Sequence, residues 1–372
     1  MEAARFAQAL EQRHEYARAW KARTGGRVVG YLCTYVPEEL IYAAGALPVR
    51  ILGSREPQDV TEPYIASHYC AWCRDALAQG LRGRYDYIDG LVTAHTCMHV
   101  RQTYTSWTKY LPVAYSYYFY MPGHVQSPLA RDLVLAELAQ FQASLEEWTG
   151  KPISREAIKK AIQVYNANRR LLGQVYQLRK GQSPFSGSQV LEMVMSSMVV
   201  DKTEHSHWLA ELLATPPQVQ DHQGDIRLML LGSIVDDMKL VEMVESLGAR
   251  IVADDLCSGF RYFWKEASEQ AEPLSAIADW YLGKPPCPMK DLVERRRPEH
   301  VLQLAREYGV QGVIFVQQKF CDPHGSDFPS LAARLKEEGL PSLRLETDVT
   351  TPAGQFRTRV EAFLEMLQMQ TV

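Results

Sequence analysis

The apolar residues of this chain fall into short runs separated by longer stretches of helical spacing. Residues 3–22 carry Phe6, Leu10, Tyr16 and Trp20 in a charged, amphipathic pattern that Gly25-Gly26 breaks. Residues 28–32 read as a short strand. Pro37 fits the first turn of a helix over 38–44, which Gly45 stops. A strand over 46–51, a Pro/Ser/Gly-rich loop over 53–67 and a helix over 71–82 follow. The run 87–92 predicts a strand leading to Thr96-Cys97, with a helix over 98–109, a strand over 112–117 and an aromatic loop over 118–123. Strands alternating with helices argue for a parallel sheet.

The pattern changes at Ser127. Residues 129–149, 154–179, 186–200 and 203–214 are helical, with no strand signal between them and Ser154 as an N-cap. Thr215-Pro216-Pro217 opens a linker, and the alternation then returns. Strands are expected at 226–231, 249–253, 312–316 and 342–345, and helices at 274–282, 291–308, 330–338 and 354–369. The expected organisation is α/β. A first α/β domain with an N-terminal helix spans 1–126, a helical connecting segment 127–222 and a second α/β domain 223–372. Both sheet domains are expected to be parallel and Rossmann- or flavodoxin-like.

Composition narrows the class. With 46% hydrophobic and 23% charged residues the chain is an ordinary globular protein. A net charge of −4 gives no polyanion-binding surface, so nucleic acid is not an expected partner. No apolar run approaches the ~20 residues that span a bilayer. The N-terminus shows no signal-peptide core, so the expected location is the cytoplasm, with no membrane contact. In a reducing compartment the seven cysteines are core filler, metal ligands or catalytic groups rather than a disulfide framework.

Three of them are well placed. Cys321 follows the apolar run Val313–Val316, Cys97 follows the strand expected at 87–92, and Cys70 stands at the start of a helix. Parallel sheets bind ligands in the crevice outside the carboxyl ends of their strands. Cysteines there can meet, and their thiolates are soft ligands suited to an iron–sulfur cluster. The wide spacing is not that of a ferredoxin and fits a site assembled between two domains. Buried structural cysteines are the competing reading. Cys70-Ala71-Trp72-Cys73 also reads as a redox pair, and zinc with His68, His95 or His99 is a further alternative.

Gly30-Tyr31-Leu32-Cys33-Thr34-Tyr35-Val36-Pro37-Glu38-Glu39 opens a series of motifs. His95-Thr96-Cys97, Asp254-Asp255-Leu256-Cys257-Ser258-Gly259-Phe260-Arg261 and Lys319-Phe320-Cys321-Asp322-Pro323 follow in order. With the closing stretches 345–348 and 359–363, they resemble the 2-hydroxyacyl-CoA dehydratase and benzoyl-CoA reductase superfamily. Within it the chain looks most like the smaller cluster-bearing subunit of ATP-dependent benzoyl-CoA reductase. The resemblance implies a 4Fe-4S cluster on Cys70, Cys97 and Cys321. It also implies a sister cluster-bearing subunit, ATP-hydrolysing electron activase subunits, a ferredoxin upstream and an aryl-CoA substrate. The implied reaction reduces an aromatic ring to a cyclic diene in an anaerobic setting. Radical dehydration of a 2-hydroxyacyl-CoA and a non-catalytic cluster carrier are the alternatives. Ala71 stands where the family often has proline, and Cys73 offers a rival thiol in the same turn.

Around this core, His95 and His99 flank Cys97 as candidates for proton delivery. Cys33 reads as support or core, and Cys257 as structural. Glu38 and Glu39 read first as complements to a helix dipole. The tyrosines of 115–120 read as packing rather than a substrate wall, and Arg295-Arg296-Arg297 as a solvated helix end. Gly232-Ser233 reads as a tight turn.

Overall fold

The structure is a computed structural model of the chain and describes residues 3–371 apart from 55, 220–223, 292, 350 and 352. It opens with α1 (Ala4–Glu11) and α2 (Arg13–Thr24). Gln12 therefore divides the single helix expected over 3–22, and Gly25 ends α2 in the left-handed conformation. Next come β1 (Arg27–Tyr31), α3 (Glu38–Ala43), β2 (Ala46–Arg50), α4 (Ala71–Leu81), β3 (Gly90–Ala94), α5 (Met98–Tyr110) and β4 (Tyr115–Phe119). Helices α6 (Ala130–Thr149), α7 (Arg155–Leu178), α8 (Gly187–Ser196) and α9 (Lys202–Ala214) form the middle. The last part carries β5 (Ile226–Gly232), α10 (Met238–Glu245), β6 (Ala249–Asp255), α11 (Phe260–Phe263) and α12 (Pro273–Leu282). It ends with α13 (Arg297–Glu307), β7 (Gly312–Gln318), α14 (Asp322–Glu337), β8 (Ser342–Thr347) and α15 (Arg357–Thr371). The boundary expected between 222 and 223 lies outside the described residues.

The strands make two four-stranded parallel sheets, ordered β2-β1-β3-β4 and β6-β5-β7-β8. The α/β class with two flavodoxin-like sheets and connecting helices is borne out. In each sheet the chain runs outward to opposite sides from the two central strands. Such a reversal opens a crevice at the carboxyl ends, between β1 and β3 and between β5 and β7. Gly232 ends β5 at φ 153°, where a Cβ would meet the Val316 carbonyl of β7 at 2.3 Å, so only glycine lets these strand ends approach.

Some elements sit away from their apolar runs. The Asp89 carboxylate accepts the Val28 N–H at 2.8 Å and pairs with Lys21 at 2.7 Å, so the run over 87–92 turns there and β3 starts at Gly90. β4 pairs Tyr115–Phe119 with Gly90–Ala94, which makes Tyr118 and Phe119 strand rather than loop. α14 begins at Asp322, directly after Cys321, with Pro323 in its first turn and Pro329 inside it.

The middle helices bind both sheets. α3 packs on α7, α12 on α6 and α1 on α8. The α3–α7 contact is polar at its centre. Glu39 pairs with the buried Arg169 and accepts the Tyr281 hydroxyl at 3.1 Å, and Glu38 accepts the hydroxyls of Tyr262 at 2.9 Å and Tyr165 at 3.3 Å. Both carboxylates are buried, so they fasten α3 to the middle helices instead of facing solvent at a helix start. Burial lifts the Glu38 carboxyl above its usual range and brings nearby Lys202 down to about 8.

Two outcomes follow from these buried groups. Arg169→Met leaves the Glu39 carboxylate uncompensated and should cost about 3–5 kcal/mol in urea denaturation. His205 is buried between Asn168 and Ser196, and burial, then Lys202, holds its pKa well below the usual value. Its unfolded form takes a proton near pH 6.5 while the folded form does not, so stability is complete above that pH and falls below it. The urea midpoint should drop between pH 7 and pH 5, and the drop should shrink in His205→Gln.

Candidate functional site

Cys70, Cys97 and Cys321 each occupy the N-cap position of a helix: α4, α5 and α14 respectively. Cys97 and Cys321 arrive there from β3 and β7, the strands that border the two crevices. The residue before Cys321, Phe320, has φ 62°, a left-handed conformation that is unusual for an aromatic residue and turns the chain sharply out of β7. The Ala71 N–H donates to the Lys319 carbonyl at 3.1 Å, which ties the start of α4 to the far side of the seam between the sheets.

These helix starts open on one cavity. All seven cysteines line it: Cys33, Cys70, Cys73, Cys97, Cys257, Cys287 and Cys321. The expected three are thus brought together. The Cys70 thiol hydrogen-bonds Cys321 and Cys73. The Cys321 bond works to lower the Cys70 pKa, while Cys73 and burial raise it, and the net shift is upward. Cys321 is pushed up by its bond with Cys70 and by burial. Cys97 is raised by burial against the opposing Val100 N–H, 3.5 Å from its sulfur. In the protein alone these are neutral thiols, and a metal would displace their protons.

Cations stand beside them without enough partners. Arg50 is 4% exposed, stacks between Tyr31 and Trp72, and has no hydrogen-bond partner among the described residues for Nε or Nη1. Arg261 Nε, Thr96 Oγ1 and His324 Nδ1 also line the cavity and are likewise unpartnered. Buried donors left unmade are costly. A lining of thiols, helix N-termini and unpaired guanidinium nitrogens suits an anionic group with soft metal centres. Among the described residues, no three His, Cys, Asp or Glu side chains converge as a single metal ion demands. A polynuclear cluster makes a different demand, since each thiolate can take its own iron and the sulfurs stand around a body.

The two histidines separate. His99 lines the cavity, and its Nδ1 accepts the Cys70 N–H at 2.9 Å. Its proton is therefore on Nε2, 3.1 Å from the exposed Asp322 carboxylate. Among the described lining residues His95 does not appear. Its Nδ1 donates to the Met121 carbonyl at 3.1 Å and its ring stacks on Tyr120. Burial lowers the pKa of both. The tyrosines of β4 pack on α5, α6 and His95 rather than lining the cavity. Arg297 is buried against Asp255 and Asp327, so that part of the arginine run is no solvated helix end. Arg295 and the exposed Asp322 line a second pocket that shares Cys97, His99, Met289 and Pro323 with the first.

Residues 33–367 match the family described as 2-hydroxyglutaryl-CoA dehydratase, D-component. The chain belongs to this family. It is 30% identical over 335 residues to one of the benzoyl-CoA reductase subunits of Thauera aromatica, covering 87% of this chain and 86% of that protein. It is 28% identical over 357 residues to the beta subunit of (R)-2-hydroxyglutaryl-CoA dehydratase of Acidaminococcus fermentans, covering 92% and 93%. Identity to the (R)-phenyllactyl-CoA dehydratase beta subunit of Clostridium sporogenes is 24% over 371 residues, 97% of each chain. Like these relatives the chain carries an enzyme subunit's fold from the family that acts on CoA thioesters. Among its described residues no helix is long and apolar enough to cross a membrane.

Sequence reasoning missed Cys287 and set Cys33 and Cys257 aside. The available signal for Cys33 and Cys257 was their position just past β1 and β6, the same placement that identified Cys97 and Cys321.

The Nε and Nη1 of Arg50, unpartnered among the described residues, predict an asymmetric outcome. In protein prepared without metal, Arg50→Met should stay within about 1 kcal/mol of wild type by urea denaturation, because the lost ring stacking is offset by removal of unmet donors. Iron retained after anaerobic reconstitution should fall in the same variant.

Proposed function

We propose that the chain is the iron–sulfur subunit of an ATP-dependent aryl-CoA reductase of the benzoyl-CoA type, working in anaerobic aromatic degradation in the cytoplasm. The observation that carries this reading is the set of three cysteines at helix N-cap positions opening on one cavity, beside a buried guanidinium with two nitrogens unpartnered among the described residues. The domain division proposed with it is 1–126, 127–222 and 223–372, with the site on the seam between the first and last. Cys70, Cys97 and Cys321 are assigned as ligands of a 4Fe-4S cluster, with Cys73 one helical turn behind. When bound, such a group supplies low-potential electrons one at a time, and with three protein ligands it keeps one iron for substrate.

The chain's own residues do the rest. The helix N-termini and Arg50 balance the negative charge of the bound thiolates. His99 holds the Cys70 amide and, through Nε2 and Asp322, connects the cavity to solvent, so we assign proton delivery to His99 in preference to His95. The apolar lining excludes water from the reacting ring, and the thioester's CoA portion enters along the pocket that Arg295 lines. The partners are a sister cluster-bearing subunit and ATP-hydrolysing electron-activating subunits fed by a ferredoxin. Two relatives named as dehydratase subunits, whose matches cover 92% and 97% of the chain, favour a second reading, radical dehydration of a 2-hydroxyacyl-CoA.

Turnover by the assembled enzyme separates the two. With benzoyl-CoA, ATP and a reductant, the reductase reading expects reductant consumed in proportion to product. Dehydration of a 2-hydroxyacyl-CoA with only catalytic amounts of reductant, and no reaction with benzoyl-CoA, would establish the second reading instead. Cys97→Ser and Cys321→Ser should each abolish activity and lower bound iron. Full retention of iron in either variant removes that residue from the ligand set.

A further inference from the structure

Reduction of an aromatic ring to a cyclic diene adds two electrons and two protons, forms two C–H bonds and expels nothing. The reductant supplies the electrons. The protons need donors, and the cavity lining keeps bulk water from the ring. His99 accounts for one of them. The wall holds a second group suited to the task, the ammonium of Lys284.

Lys284 follows α12, is buried and lines the cavity. The rings of Tyr35, Trp280 and Tyr281 surround its Nζ, with centroids 4.8, 5.2 and 5.7 Å away. An ammonium has three N–H bonds to give. Among the described groups one is taken, donating to the Thr34 carbonyl at 2.7 Å, and no carboxylate pairs with the charge. A buried cation held in this way releases a proton readily. Burial brings its pKa down to about 8, with Arg261 adding to the fall and Cys33, Cys257 and Glu38 opposing it.

Other groups of the wall fit the task less well. The guanidinium groups of Arg50 and Arg261 keep their protons beyond about pH 12. His324 is held neutral by burial, then by Arg261 and Arg297. Burial pushes the Tyr35 phenol far above its usual range.

A supply of protons stands behind Lys284. Thr34 borders both the cavity and a small polar pocket that Glu38, Lys202, Tyr262 and Tyr281 line. There Lys202 Nζ donates to the Tyr262 hydroxyl at 2.5 Å, which donates to the Glu38 carboxylate at 2.9 Å. Burial lifts Glu38 and lowers Lys202 to about 8, so both exchange protons closer to neutrality than they would in water.

We propose that Lys284 is a catalytic residue, the donor of one of the two protons that the ring receives, with His99 the donor of the other. The assignment rests on the reductase reading above and deepens it. An Nζ–H bond breaks and a ring C–H bond forms. The neutral amine left on Lys284 takes its proton back from water through the polar pocket after the product leaves.

The test uses the assembled enzyme with benzoyl-CoA, ATP and a reductant. Lys284→Arg keeps the positive charge but does not release its proton. Turnover should fall about 100- to 10,000-fold in this variant, with KM and bound iron unchanged. In wild type kcat should decline on the alkaline side, as Lys284 loses its proton before turnover, and that limb should be missing in Lys284→Arg. In Lys284→Ala, added methylammonium should restore turnover in proportion to its concentration, which it would not do for a lost structural contact. A loss of less than about tenfold in Lys284→Arg overturns the assignment and points instead to a thiol of the wall. Where Lys284→Arg binds less iron, the alanine variant decides, and failure of methylammonium to restore turnover overturns the assignment. Wild-type enzyme that holds iron but leaves benzoyl-CoA unreduced overturns the reductase reading and this assignment with it, whereas the variant outcomes bear on Lys284 alone.

Discussion

A parallel strand followed by a helix always delivers the chain to the same edge of its sheet. The rest of this structure depends on that constraint. Every strand of the two sheets points its carboxyl end toward one seam, and the helices that follow β3 and β7 begin there. Residues at those turns meet without any sequence proximity. The left-handed turn at Phe320 and the missing side chain at Gly232 are local concessions to the geometry, made where the second sheet's central strands approach the seam. The middle helices fasten α3, which follows the cavity-lining turn after β1, through buried groups, above all the Glu39–Arg169 pair.

Charge is the second organising influence. The cavity wall combines thiols whose protons are held on by burial with guanidinium and ammonium groups that the fold only partly satisfies. A protein interior tolerates this where a counter-charge arrives later, because an unmet buried donor is expensive. Asp255, a few residues away, shows cations meeting a carboxylate. Burial opposes its ionisation, but Arg261 and Arg297 outweigh that and keep its carboxyl below the usual range. Arg261 thus belongs to both environments, one face answered by Asp255 and the other turned to Cys257.

Much of this was readable in the sequence, and the failures have physical causes. The period of the apolar runs gave both sheets and the helical middle, since parallel strands buried on both faces leave an unmistakable pattern. Cys97 and Cys321 were legible because each follows such a run. Element ends were less so. Asp89 interrupts an apolar run by accepting backbone and lysine protons, a tertiary event that local propensity does not encode. The helix expected over 330–338 begins earlier, at Asp322, and takes Pro323 and Pro329 inside it. Glu38 and Glu39 looked like dipole complements at a helix start because their partners, Arg169, Tyr262 and Tyr281, lie more than a hundred residues away. Cys287, in a loop between prolines, had no periodic signal at all.

The seam also orders events in time. The stretch that carries Cys321 lies near the end of the chain, whereas Cys70 and Cys97 lie in its first third. During synthesis the first sheet can fold, and α4 and α5 can form, long before β7 and α14 leave the ribosome. Until then Cys70 and Cys97 sit at an open face with no partner across the crevice. Maturation of this cavity is therefore a post-translational step by construction: the amino-terminal half presents thiols that only a finished chain can enclose.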